Sequence, residues 1–183
     1  MDDAVLVRQA KSGNVTAVGQ LYDQHQPHIY RYVWSRVRHN QTAEDLTGEI
    51  FTRMVKNLPR YQVTEMPFRA WLYRIAHNLV VDYFRGQDGR LPEPIPIDQA
   101  EYMREEMNTT EDVIDQKMTV ERVEKALDHI DPAQREVVVL RFLVGLPLRE
   151  VAQSLDKSIP AVKSLQHRGL SALRVALQTG MSA

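Results

Sequence analysis

Trp71, Arg74, Asn78 and Arg85 follow one another at intervals of three, four and seven residues, which on a helix puts them in one row. An aromatic plane, two guanidinium groups and an amide in a row suit unstacked bases and phosphates. The indole stacks on a base, the arginines meet the backbone and the amide reads a base edge. The surrounding stretch, Phe68 to Gln87, sets Phe68, Leu72, Ile75, Ala76, Leu79 and Tyr83 on an apolar face. An ordinary core helix with solvated arginines has the same periodicity. A second set lies near the C-terminus. Lys163, Ser164, His167, Arg168, Ser171 and Arg174 share one side of a predicted helix, opposite Val162, Leu165, Gly169, Leu173 and Ala176. Cations, a histidine and hydroxyls are what a recognition helix offers to phosphates and base edges, although a merely solvated face also looks like this.

Other chemistry is poorly served. His25 and His28 are separated by Pro27 and lack a third ligand at useful spacing, so they read as surface histidines rather than a metal pair. There is no phosphate-cradling glycine loop, activated nucleophile or carboxylate pair, so neither an enzyme nor a cofactor is expected. Cysteine is absent, which excludes disulfides, thiol nucleophiles and cysteine-ligated zinc. The acidic N-terminus is no signal peptide. The longest apolar region, Val137 to Leu148, is interrupted by Arg141 and too short to span a bilayer. A soluble, cytoplasmic chain with no membrane insertion is expected.

The net charge of −1 at first argues against a nucleic-acid binder, but the charge is segregated. Residues 1–91 carry 12 basic and 9 acidic groups, residues 92–120 carry 2 and 8, and residues 121–183 carry 9 and 7. Two mildly basic ends flank an acidic middle, the pattern of two polyanion-facing modules joined by a segment that repels or masks.

The elements that must position these groups are all helical. Ala4 to Lys11 is a short helix stopped near Gly13 and Asn14; Val15 to Asp23 starts a second, which Pro27 interrupts before His28 to Arg38 resumes. Thr42 and Asp45 form a capping box for a helix ending at Leu58. Its apolar residues Leu46, Ile50, Phe51, Met54, Val55 and Leu58 cover about half its circumference, more than one packing face requires. Gly48 in mid-helix costs about 1 kcal/mol relative to alanine and hints at a close approach. From Pro92 the pattern gives way to alternating prolines and acidic residues, a linker extended at first and mobile or partly helical after. Four helical segments follow: Val120 to Ile130; one capped by Asp131 and Pro132 and running to Gly145; Leu148 to Leu155; and Ile159 to Leu177. The last two, across the turn Asp156-Lys157-Ser158, make a helix-turn-helix.

Taken together, AEDLTGEIFTRMVKNLPRY (Ala43 to Tyr61), FRAWLYRIAHNLVVDYFR (Phe68 to Arg85) and LDHIDPAQREVVVLRFLVGLPLREVAQSLDKSIPAVKSLQHRGLSALR (Leu127 to Arg174) resemble a bacterial RNA polymerase sigma factor of the extracytoplasmic-function (ECF) type. The resemblance implies an all-α chain of two small domains, residues 1–91 (sigma region 2) and 119–183 (sigma region 4, a helix-turn-helix), joined by an acidic proline-containing linker over 92–118. It implies that Asp45, Leu46, Glu49, Ile50 and Phe51 dock on the clamp helices of the polymerase largest subunit. Trp71, Arg74, Asn78, Asp82 and Arg85 would recognise and melt the minus-ten element. Lys163, Ser164, His167, Arg168 and Arg174 would read the minus-thirty-five element. Core RNA polymerase, including the flap of the second-largest subunit, promoter DNA in double- and single-stranded form and an anti-sigma factor are the implied partners. In relatives the helix breaks near the position of Asn78, a break that would accommodate Val80 and Val81. The chain departs from the family at Asp156-Lys157, where glycine and an aliphatic residue are usual, at Leu165-Gln166 and at Gly169-Leu170. The alternative is a stand-alone helix-turn-helix regulator, which would leave the Trp71 to Arg85 row idle.

Overall fold

In the computed structural model, which describes residues 2–86 and 122–179, helices fill nearly all of these residues and no strand occurs among them. By their packing these residues form two units: 2–86 with 146–158, and 122–145 with 159–179. The expected linker, 92–118, lies outside the described residues.

In the first unit α1 spans Asp3–Lys11, and the Asp2 carboxylate accepts the Ala4 N–H at its start. Gly13, at φ 90°, turns the chain, and the Asn14 side chain accepts from the Ala17 N–H to open α2, Val15–Val37. Contrary to the sequence expectation, α2 runs unbroken through Pro27. The proline is exposed, and the buried row Leu21, Ile29, Tyr32, Val33 and Val37 holds the helix together on its other side. Fully burying each such side chain contributes about 1.5–3 kcal/mol, so the row outweighs the ~3 kcal/mol proline penalty.

α3 spans Asn40–Asn57. Its cap is His39, whose Nδ1 accepts the Thr42 N–H at 3.2 Å, and Thr42 therefore sits inside the helix instead of capping it. The wide apolar arc of α3 has an internal cause, because both α2 and α4 pack against it. A 3₁₀ turn, Leu58–Arg60, stops α3 at Pro59 and leads to α4, Phe68–Gly86. That last helix is continuous. The break expected near Asn78 is absent because Leu79 and Val80 are both core residues, and interrupting the helix would withdraw them.

In the second unit residues 122–127 (α5) are helical, with Ala126, Leu127 and Ile130 buried. Asp131 accepts the Ala133 and Gln134 N–H groups and Pro132 starts α6, Pro132–Val138. The helix then widens into a π turn, Val139–Leu143, in which the Val144 N–H reaches the Val139 carbonyl at 3.0 Å. Beyond Leu140, Phe142 and Leu143 are exposed, while Leu146 is buried again. α7, Leu148–Ser154, belongs to the first unit; α8, Ile159–Thr179, belongs to the second and packs on α6. Between them Asp156 takes φ 53°, the left-handed conformation that its side chain tolerates.

Gly169 marks the closest approach of α8 to α6. A Cβ there would lie 2.8 Å from Val138 Cγ2 and 3.2 Å from the Gln134 carbonyl oxygen. Valine is stiff at χ1, so the methyl cannot swing clear. Gly169→Ala is therefore expected to lower stability by about 1–2 kcal/mol despite alanine's better helix propensity. Thermal melts of the two proteins check this; an unchanged or raised midpoint refutes the close crossing.

Candidate nucleic-acid interface

The α4 row is realised on one helix. Trp71 and Arg74 are half-buried, whereas Asn78, Asp82 and Arg85 are exposed. Trp71 owes its setting to Phe68 and to Tyr61, the second of which sequence reading did not single out. Its indole stacks on the Tyr61 ring, with centroids 4.4 Å apart and planes 25° from parallel, and Phe68 tilts against it at 5.8 Å. Tyr61 is itself fixed, its hydroxyl donating to the Met66 carbonyl at 2.6 Å and its own carbonyl accepting from Lys11 Nζ at 2.6 Å. The indole thus has a rigid backing, so less freedom would be lost if a planar group stacked on it. A tyrosine beyond a 3₁₀ turn has no periodic signature; the only signal was an aromatic shortly after Pro59.

Arg74 lies 3.9 Å from Asp156, within the same unit, and Arg85 lies 3.9 Å from Asp82. Both are loose, solvated pairs worth little stability, and each arginine can exchange its carboxylate for a phosphate. His25 is the opposite of the surface histidine expected. It is only 5% exposed, its Nε2 lies 2.8 Å from Asp3 Oδ1 and its ring meets Phe68 edge-on. It anchors α1 beneath the α4 aromatics. Among the described residues no cluster of three histidine or carboxylate groups could hold a metal, and no helix is long and apolar enough to cross a membrane.

On α8, Lys163, Ser164, His167, Arg168, Ser171 and Arg174 are all exposed, opposite the buried Val162 and Gly169. No carboxylate side chain occurs after Asp156, so nothing on this helix offsets its three cations. The α3 set is divided. Ile50 (0% exposed) and Phe51 (5%) are core residues, Phe51 meeting the Tyr22 ring at 4.7 Å. Asp45 is exposed and Leu46 and Glu49 are half-buried. Glu49 accepts from Arg53 Nε at 2.8 Å, which holds its carboxyl below the usual range. The outward surface of α3 includes Glu44, Asp45, Gly48, Thr52 and Val55.

The sigma-70 region 2 family profile matches residues 21–90, and the sigma-70 region 4 profile matches residues 126–175. Together they cover more than half the chain. The chain belongs to the ECF-type RNA polymerase sigma factors. Among curated relatives it is 36% identical to the ECF RNA polymerase sigma factor BldN of Streptomyces coelicolor, over 92% of this chain and 63% of that protein. It is 33% identical to the ECF RNA polymerase sigma factor SigD of Mycobacterium tuberculosis, over 94% of this chain and 82% of the relative. Among solved structures it is similar to CnrH in complex with the cytosolic domain of CnrY, at 26% identity and a TM-score of 0.73 over 97% of both chains. The fold is also that of the Bartonella quintana sigma factor RpoE, solved with the anti-sigma factor NepR, at a TM-score of 0.69 and 19% identity over 87% of this chain and 96% of that one. By family this is an alternative, promoter-recognising sigma factor, and members of that family are transcription initiation factors rather than enzymes.

The core of this sigma factor also carries a pH signature. Burial pushes the Tyr61 and Tyr73 hydroxyls up to about 12. An unfolded chain releases these protons near pH 10 while the folded chain keeps them, so stability is full below about pH 10 and falls as pH rises towards 12. Tyr73→Phe is expected to flatten that decline. Thermal midpoints across this range, read beside tyrosinate absorbance, check it; a Tyr73 that ionises in the folded protein near pH 10 refutes it.

Proposed function

We propose that this sigma factor docks on core RNA polymerase through the outward face of α3, captures and melts the minus-ten element along the α4 row, and reads the minus-thirty-five element with α8. The proposal divides the chain into a region 2 domain over 1–91, a linker over 92–118 and a region 4 domain over 119–183. The observation that carries it is the backed indole of Trp71, in line with Arg74, Asn78 and Arg85 on a continuous helix. A stand-alone regulator has no use for a stacking platform aimed at unstacked bases.

The clamp helices of the largest subunit are the proposed partner of α3, and the flap of the second-largest subunit is a further polymerase contact. Since Ile50 and Phe51 support the core, the docking surface is better assigned to Asp45, Leu46 and Glu49 with Gly48 and Val55, the last 47% exposed. An anti-sigma partner is also proposed, by analogy with RpoE, which was solved bound to one. Such a partner would cover these surfaces until induction.

Transcription in vitro with core polymerase on a random promoter library should yield a defined promoter class only when this chain is present. Trp71→Ala should then impair opening, losing about 1–3 kcal/mol of base stacking, without weakening polymerase binding. Permanganate reactivity and pull-down separate the two effects, and undiminished opening refutes the role of Trp71.

Gly48 supplies a second test. An added Cβ there meets nothing in this chain within 4 Å, so Gly48→Ala should stabilise the free protein by about 1 kcal/mol. If the glycine serves a close approach by polymerase, the same substitution should weaken core association. A more stable protein with undiminished association would remove α3 Gly48 from the docking surface.

A further inference from the structure

Within the first unit α7 packs on α4, and the contacts between them are polar. Along α7 and the turn after it, Glu150, Gln153 and Asp156 stand three residues apart. Gln153 Nε2 donates to the Glu65 carbonyl at 3.2 Å, just ahead of α4. Asp156 Oδ1 lies 3.9 Å from Nη2 of Arg74, inside the α4 row. Glu150 is half-buried; burial raises its carboxyl above the usual carboxylate range, and the positive charge of Arg69 pulls it back. Charged and hydrogen-bonded contacts at a partly solvated surface are individually weak, so such an interface opens readily. Asp156 makes its contact from φ 53°, a conformation glycine takes freely, whereas aspartate adds a carboxylate beside the row.

These contacts conflict with the promoter-bound state proposed above. The minus-ten and minus-thirty-five elements lie about 25 base pairs apart, roughly 85 Å of duplex. Lys163 comes seven residues after Asp156, so their Cα atoms can be no more than about 25 Å apart in any conformation. A chain with Asp156 at Arg74 therefore cannot set Arg74 on one element and Lys163 on the other. Release of α7 removes the conflict, because the 35 residues 87–121 reach up to about 120 Å at full extension.

We propose that Glu150, Gln153 and Asp156 form an autoinhibitory latch, which holds α7 on α4 in the free chain and must open before the two promoter elements are engaged. The Asp156 carboxylate occupies Arg74 until a phosphate replaces it. The inference rests on the assignment of α4 and α8 to separate promoter elements made above.

The full chain has no cysteine, so a Glu65→Cys, Gln153→Cys pair can be joined unambiguously by a short, reductant-cleavable bismaleimide. The free chain should bridge readily, and core polymerase with a promoter obtained from the random library should suppress bridging. The bridged chain should fail to open that promoter, and cleaving the bridge should restore opening, which excludes damage to the fold. Separately, Gln153→Ala combined with Asp156→Gly should form open complexes with core roughly two- to tenfold faster than the parent. A free chain that does not bridge, or a double variant no faster than the parent, overturns the latch and leaves the promoter reading standing. A bridged chain that opens the promoter as well as the cleaved one overturns the latch and, with it, the assignment of α4 and α8 to separate elements.

Discussion

Helix α4 has to be the strut of its unit and, on the same turns, to carry a half-buried to exposed row of aromatic, cationic and amide groups. Phe68, Ala70, Leu72, Tyr73, Ala76, Leu79 and Val80 are buried, so most of its circumference is committed to packing. Only a narrow stripe is left, and it holds Trp71, Arg74, Asn78, Asp82 and Arg85. Each exposed group is therefore flanked by core residues that fix its backbone. The indole, seated on Tyr61, is already held in place and would need no rearrangement to receive a stacked ring.

The same economy governs the turns. The two non-glycine residues with positive φ among the described residues are Arg38 and Asp156, both charged and both between helices. Glycine would suit either position better on conformational grounds. Asp156 stands 3.9 Å from Arg74, and Arg38 covers Trp34, so each strained residue delivers a charge to an aromatic or cationic neighbour. Where packing alone decides, the opposite choice is made: Gly169 admits Val138, and a larger residue is excluded by contact and not by charge.

Much of this was legible in the sequence, and the failures share a physical cause. The inward faces of α4 and α8 were readable because burial imposes the helical period. The turn at Asp156 stands where the sequence placed it, and aspartate tolerates the left-handed region it takes there. Local rules failed where tertiary packing overrode them. Pro27 did not stop α2, since a buried row on the other side holds that helix together. Thr42 lost the cap to His39, three residues earlier. Ile50 and Phe51 looked like surplus apolar surface because a single sequence cannot show that α3 has two packing neighbours. Tyr61 beneath Trp71 was out of reach for a related reason: a stack between residues on different elements leaves no periodic trace.

Charge arithmetic supports placing the two proposed nucleic-acid surfaces on one chain with the proposed polymerase contact. Lys163, Arg168 and Arg174 would displace only about three counterions, fewer than the six to ten phosphate contacts of a strongly salt-dependent free-standing binder. The α4 row adds two arginines that already have carboxylates nearby. Neither surface can hold DNA well alone at physiological salt, and the net charge of −1 gives the free chain no long-range attraction to a polyanion. Fixing both proposed surfaces on one large partner would turn the second contact into an intramolecular event, with a gain that exceeds either affinity. Weakness in isolation is then a requirement, since a chain that bound promoters unaided would occupy them without a polymerase to use them.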